Sequence, residues 1–203
     1  MAQTTSGQFS MNYPVSLDLD APLKVARWRV IANPIMAIPH FIVLYVMMIV
    51  LEVLQVVSWF AILFTGNIPR GMFNFMAAIL RYQWRVGTFY LWMREPYPAF
   101  DFTASDVDTG NDPASFSINY PAKLSRGLIF VKWLLVIPHM IVLTILGIGA
   151  GVAIVVSWFA VLITGSYPQG LRNFVIGFFR WSTRVNIYYG LMSDVYPPFS
   201  LQP

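Results

Sequence analysis

The sequence predicts an all-α integral membrane protein, a tandem repeat of two helical hairpins with four transmembrane helices and short strands at the ends of each repeat. Three observations predict it. Hydrophobic residues make up 57% of the 203-residue chain and charged residues only 11%, against roughly 45–50% and 25% in soluble domains. The apolar residues are gathered into long blocks rather than spread at the spacing of a soluble core. The stretch SWFAILFTGNIPRGMFNF (Ser58–Phe75) returns as SWFAVLITGSYPQGLRNF (Ser157–Phe174), the fixed-period self-similarity of a duplicated unit.

Aligned at that offset, residues 38–100 match residues 137–199 at 29 of 63 positions. Pro22, Lys24 and Arg27 fall on Pro121, Lys123 and Arg126. The chain therefore divides into a polar tail (1–14), a first membrane repeat (15–102), an acidic linker TASDVDTGNDP (103–113) and a second repeat (114–203). The start lacks a basic segment followed by an apolar one, so no cleavable signal peptide is expected. With no cysteine in the chain, disulfides and thiolate metal sites are excluded.

Within each unit, SLDLD and SFSIN alternate polar and apolar residues at period two, as do FDF and FSL after Tyr97–Pro98 and Tyr196–Pro197. Each unit should begin and end in a short strand. The first apolar block follows proline breaks. Its 25 residues from His40 to Phe64 would extend about 37 Å as a helix, more than the roughly 30 Å of a bilayer core. The partner block, His139–Ile163, carries no charge. A Thr-Gly stop and then Pro and Gly follow each block, the chemistry of a tight turn between helices.

The second block, Met72–Met93, holds Arg81 and Arg85 near its middle. At 100° per residue Asn74, Arg81, Arg85 and Thr88 form one stripe, echoed by Asn173, Arg180 and Arg184. Arginine facing lipid at mid-depth costs about 3 kcal/mol or far more, so the stripe must face protein, water or head groups. Either the block spans and Arg81 and Arg85 pair with Glu52, or it lies in the interface with its arginines toward phosphates. Paired strands at the ends of a unit require two crossings, which favours four spans. The basic residues flanking the units, set against the sparsely charged turns, then place both termini in the cytoplasm of a multi-pass cell-membrane protein.

The motifs IPH (38–40, 137–139), WFAxLxTG (59–66, 158–165), RWxxRV (from Arg180) and YPPF (196–199) resemble an uncharacterised family of bacterial membrane proteins, a domain of unknown function that often occurs twice per chain. The resemblance covers nearly the whole chain and implies membrane location without supplying a chemistry. Copy one departs from the motifs at Tyr82 and Ala99.

No catalytic residues are expected. Ser58 and Ser157 lack a GxSxG setting or a base, and the glycines of GIGAG (147–151) fit close helix packing better than a phosphate loop. Glu52, with Arg81, Arg85, Arg180, Arg184, Asn74 and Asn173, forms the candidate ion-pair or transport set. His40 and His139 are candidate ligands for haem or a metal, although no cofactor or metal is predicted. The leading expectation is a non-enzymatic structural or accessory subunit that binds lipids, anionic ones included, or another membrane protein, or that forms a homo-oligomer, without nucleic acid. A small-solute or ion transporter built on Glu52 and the arginines is the alternative, and a histidine-ligated redox protein the third class.

Overall fold

The computed structural model describes residues 13–108 and 110–203. Most of the polar tail expected at residues 1–14 lies outside the described residues. The elements run β1 (Val15–Leu19), α1 (Arg29–Met36), α2 (Ile38–Thr65), α3 (Arg70–Tyr90), β2 (Ala114–Ile118), a 3-10 turn (Leu128–Phe130), α4 (Lys132–Leu135), α5 (Ile137–Thr164) and α6 (Gln169–Tyr189). Each repeat is thus one long hairpin, α2–α3 or α5–α6. Its turn is made by a glycine in the left-handed region, Gly66 (φ 78°) or Gly165 (φ 71°), which closes the preceding helix without a Cβ penalty.

The expectation of four membrane helices is corrected to two. Among the described residues, only α2 and α5 are long and apolar enough to cross a membrane, with mean hydropathies of 2.4 and 2.5 over their apolar stretches. The arginine-bearing α3 and α6 form the centre of the fold instead. Phe73, Met76, Ile79, Tyr82 and Phe89 of α3 and Val175, Trp181, Val185 and Tyr188 of α6 are all buried.

The strands also depart from expectation. Neither FDF nor FSL forms a strand; the prolines just before them withhold backbone donors from any ladder. Instead β1 pairs antiparallel with β2, Leu17 facing Phe116 at the centre of the register. Those two positions are equivalent in the repeat, so the ladder lies on a quasi-twofold axis normal to the sheet. The same symmetry locks the repeats together elsewhere. Leu124 donates its N–H to the Gly66 carbonyl (2.8 Å), and Val25 donates to that of Gly165 (3.0 Å). The turn of each hairpin is therefore held by the other repeat.

Three layers result. On one side of α3, Arg81 donates to the Phe116 carbonyl (3.1 Å) and the Trp84 indole to that of Asp18 (3.2 Å). On the roughly opposite side, Met76 meets Ser58 (3.7 Å) and Tyr82 meets His40 (2.6 Å). β2 runs antiparallel along α3, from Asp112 beside Arg94 to Tyr120 packed on Phe73. The order is strands and linker, then α3 and α6, then α2 and α5, all extending in parallel planes.

Local sequence tunes the packing. Cβ atoms at Gly147 and Gly149 would lie 3.5 and 3.4 Å from the Phe178 and Phe174 rings, so these small residues let α5 close onto α6. Gly177 is tighter: a Cβ there would lie 2.9 Å from both the Cβ and the carbonyl oxygen of Leu201. Gly177→Ala is expected to cost about 1–3 kcal/mol through overpacking, seen as a lowered thermal midpoint. The reverse change at the equivalent position, Ala78→Gly, should cost the helix propensity, about 1 kcal/mol, plus about 0.8 kcal/mol for the methyl lost from a buried position.

Candidate functional site

The acidic linker is a strap across the arginine face of α3. Arg85 reaches Asp108 at 2.8 Å, Asp101 at 3.1 Å and Asp112 at 3.9 Å. Arg81 lies 3.5 Å from Asp108 and donates to the Ser105 carbonyl at 2.8 Å. Arg70 pairs with Asp106 (2.9 Å), and the fully buried Arg94 pairs with Asp112. Hydrogen bonds from Thr103, aided by Arg85, hold the Asp101 carboxyl down at about 2. Burial lowers the Arg94 guanidinium from its ordinary value, while the bond to Asp112 opposes that shift.

These contacts redraw the expected ion pair. Glu52 does not meet Arg81 or Arg85, because α2 packs against the face of α3 away from the strap. Glu52 is exposed on α2, and among the described residues no basic group lies within 4 Å of it.

The second repeat uses its stripe differently. Arg180 donates to the Leu17 carbonyl (2.8 Å) and pairs with Asp18. Arg184 lies over the Tyr13 ring, 5.5 Å from its centroid, and reaches the Ser200 carbonyl at 3.5 Å. Arg172 donates to the Ala21 carbonyl at 2.7 Å. The two asparagines part company: Asn74 has a buried side-chain oxygen without a partner among the described residues. Asn173 is exposed beside a cleft of about 540 Å³ with Asp18, Asp20 and Arg180.

Each histidine sits in its own aromatic cage. His40 stacks on Phe100 with ring centres 4.4 Å apart, and its Nδ1 meets the Tyr82 hydroxyl at 2.6 Å. His139 stacks on Phe199 at 4.0 Å, and its Nδ1 accepts from the Trp181 indole at 3.0 Å. A proton on the neutral His139 ring therefore resides on Nε2. The Tyr-Pro segments that sequence periodicity assigned to strands supply these cages. No group of three or more His, Asp or Glu side chains fit to hold a metal ion occurs among the described residues.

The candidate site is the outer face of α2 and α5. Only 11% of the most apolar window of α2 and 22% of that of α5 is buried. Ile42, Tyr45, Ile49, Val53 and Phe64 on α2 and Ile141, Ile145, Ile148, Val152 and Ile163 on α5 are exposed together. Exposed apolar surface of this extent marks a membrane or protein contact. Its borders carry exposed basic residues at equivalent places, Lys24 and Arg27 by one hairpin turn and Lys123 and Arg126 by the other, with the exposed aromatics Trp28 and Phe130 nearby in sequence. Sequence reasoning identified the apolar blocks as crossing helices, and α2 and α5 are long and apolar enough to cross a membrane; the fraction of each that is buried depends on packing.

A family model described as Domain of unknown function (DUF4389) matches residues 27–101 and again 126–200. No curated protein and no solved structure matches the chain.

Proposed function

The chain belongs to the family of the Domain of unknown function (DUF4389), carried here in two copies, and from that premise we propose that it is a non-enzymatic, in-plane membrane protein. It seats α2 and α5 in one leaflet and offers its strand-and-linker surface to the aqueous side. The parallel layering is the observation that supports this reading. The strap, with Arg70, Arg81, Arg85 and Arg94 bound at successive points, follows α3 for its full length. α2 runs antiparallel to α3, from Phe41 beside Tyr90 to Ser58 beside Met76. Standing α2 upright in a bilayer would carry the carboxylates and the open edges of a two-stranded sheet through the hydrocarbon. Exposed sheet edges do not occur there, and each charge would cost about 3 kcal/mol or more.

Lying flat avoids both costs. The two helices, about 42 Å long at 1.5 Å per residue, then rest their apolar faces about 5–10 Å into the head-group and acyl boundary. Lys24, Arg27, Lys123 and Arg126 meet anionic head groups at the rim. The anionic cytoplasmic leaflet suits that rim, which puts the strand layer and both termini in the cytoplasm. We read the role as binding rather than catalysis, since Arg81, Arg85, Arg94 and Arg180 pair with aspartates of the fold and both histidines are enclosed by aromatic rings.

The absence of native cysteine permits a clean depth test. Single cysteines at Ile42, Ile49, Val53, Val56 and Phe60, spin-labelled in liposomes, are expected to report similar depths along α2. A depth that rises and falls by about 1.5 Å per residue would establish a crossing helix and overturn the in-plane reading.

A further inference from the structure

Beside α2 lies a groove of about 510 Å³ lined by Glu52, Gln55, Trp59, Lys132, Trp133 and Tyr189. We infer that it receives the primary ammonium of an ethanolamine phospholipid head group, an inference that rests on the membrane-seated reading above. Glu52 is the negative group of the groove and has no ion-pair partner among the described residues. The neighbouring cation is already committed: Lys132 is buried, donates to the Ser193 carbonyl at 2.7 Å, lies 2.8 Å from Asp194 and sits 4.9 Å over the Tyr188 ring. Its charge is balanced within the protein, which leaves that of Glu52 for a ligand.

The chemistry of the walls favours an ammonium. A carboxylate accepts charge-assisted N–H bonds, and the faces of Trp59, Trp133 and Tyr189 can attract a cation through their quadrupoles. A divalent metal is a poor fit, since it seeks several oxygen ligands and the lining side chains offer one carboxylate, one amide oxygen and one phenol hydroxyl. An anionic head group would meet repulsion from Glu52. The carboxylate makes a primary ammonium, which can donate, a better occupant than a quaternary one, which cannot.

The second repeat shows that the fold does not require this groove. The positions equivalent to Glu52, Gln55 and Lys132 are Gly151, Ile154 and Asn33. Asn33 is used to bond the Phe89 carbonyl at 2.9 Å, and a Cβ at Gly151 would meet nothing within 4 Å. A carboxylate placed in only one copy, on the layer that meets lipid, has no packing duty to explain it. Its position at the border of the apolar face brings it level with head groups when α2 lies flat.

The test compares flotation on phosphatidylcholine/phosphatidylglycerol vesicles with flotation on vesicles of equal anionic content that also contain phosphatidylethanolamine. The protein is expected to bind the ethanolamine vesicles about fivefold more tightly, the scale of one such ammonium contact. Glu52→Gln should remove that preference, with binding to the other vesicles no weaker than that of the parent. Because Glu52 is exposed, the variant should unfold at the same temperature as the parent. Phosphatidylethanolamine carrying a nitroxide high on an acyl chain, with its ammonium left free, should quench tryptophan fluorescence in the parent more than in the variant. Equal binding to both compositions, or a preference that survives in Glu52→Gln, would overturn the site while leaving membrane seating intact. Failure to float with either composition would remove both readings.

Discussion

Asp108→Ala is expected to destabilise the fold by about 3–5 kcal/mol, the cost of stripping one partner from a buried ion cluster. The Asp108 side chain is only 4% exposed and lies between Arg81 and Arg85. It also accepts the backbone N–H groups of Phe116 (3.1 Å) and Gly110 (3.0 Å), so one carboxylate joins the linker, β2 and α3. Removing it leaves two guanidinium groups buried without their shared counter-charge. Asp101→Asn should cost less than about 1 kcal/mol, because that side chain is 36% exposed and solvent screens its pairing. Denaturant unfolding in mild detergent checks the contrast, and limited proteolysis should find the 103–113 strap newly cleavable in Asp108→Ala alone. Equal losses for the two variants would contradict the central place given to Asp108.

Ile145→Asp is expected to weaken vesicle binding by about 100-fold, with no change in the thermal midpoint. Ile145 is 66% exposed in the middle of the apolar face of α5, so the substitution disturbs little packing. A carboxylate forced into the acyl region costs on the order of 2.5–3.5 kcal/mol, which corresponds to that loss. Val107→Asp is the matched control, since Val107 is also exposed but belongs to the strap on the opposite side. It should bind vesicles like the parent. Should Ile145→Asp leave flotation unchanged and instead turn a dimer into a monomer on size exclusion, the apolar face would belong to a second copy of the chain.

Much of the fold was readable from local pattern. The duplicated Ser58–Phe75 and Ser157–Phe174 segments located both hairpin turns, and the Thr-Gly stops coincide with the left-handed Gly66 and Gly165. The arginine stripe was also visible as one face of each second helix, and Arg81, Arg85 and Arg184 are buried within the protein. Its partners were not found, because Glu52 was the nearest acid by hairpin counting while the true partners sit in a stretch that composition marks only as linker. The acidic composition of TASDVDTGNDP does not disclose that its aspartates pair along α3. The two histidines were visible as equivalent positions, but their enclosure by Phe100 and Phe199 depends on where the Tyr-Pro segments turn.

By itself the sequence determined the duplication, the length and apolarity of α2 and α5, and the need to keep Arg81, Arg85, Arg180 and Arg184 away from hydrocarbon. These follow from composition and period, which act over one helical turn or one repeat. Tertiary structure alone decided that β1 pairs with β2 across the twofold, that the aspartates bind α3, and that α3 and α6 form the middle layer. Those choices join residues far apart in the chain, where complementary charge and shape select among partners that local pattern leaves equivalent. The same choices leave α2 and α5 on one face, which makes the molecule a two-sided slab.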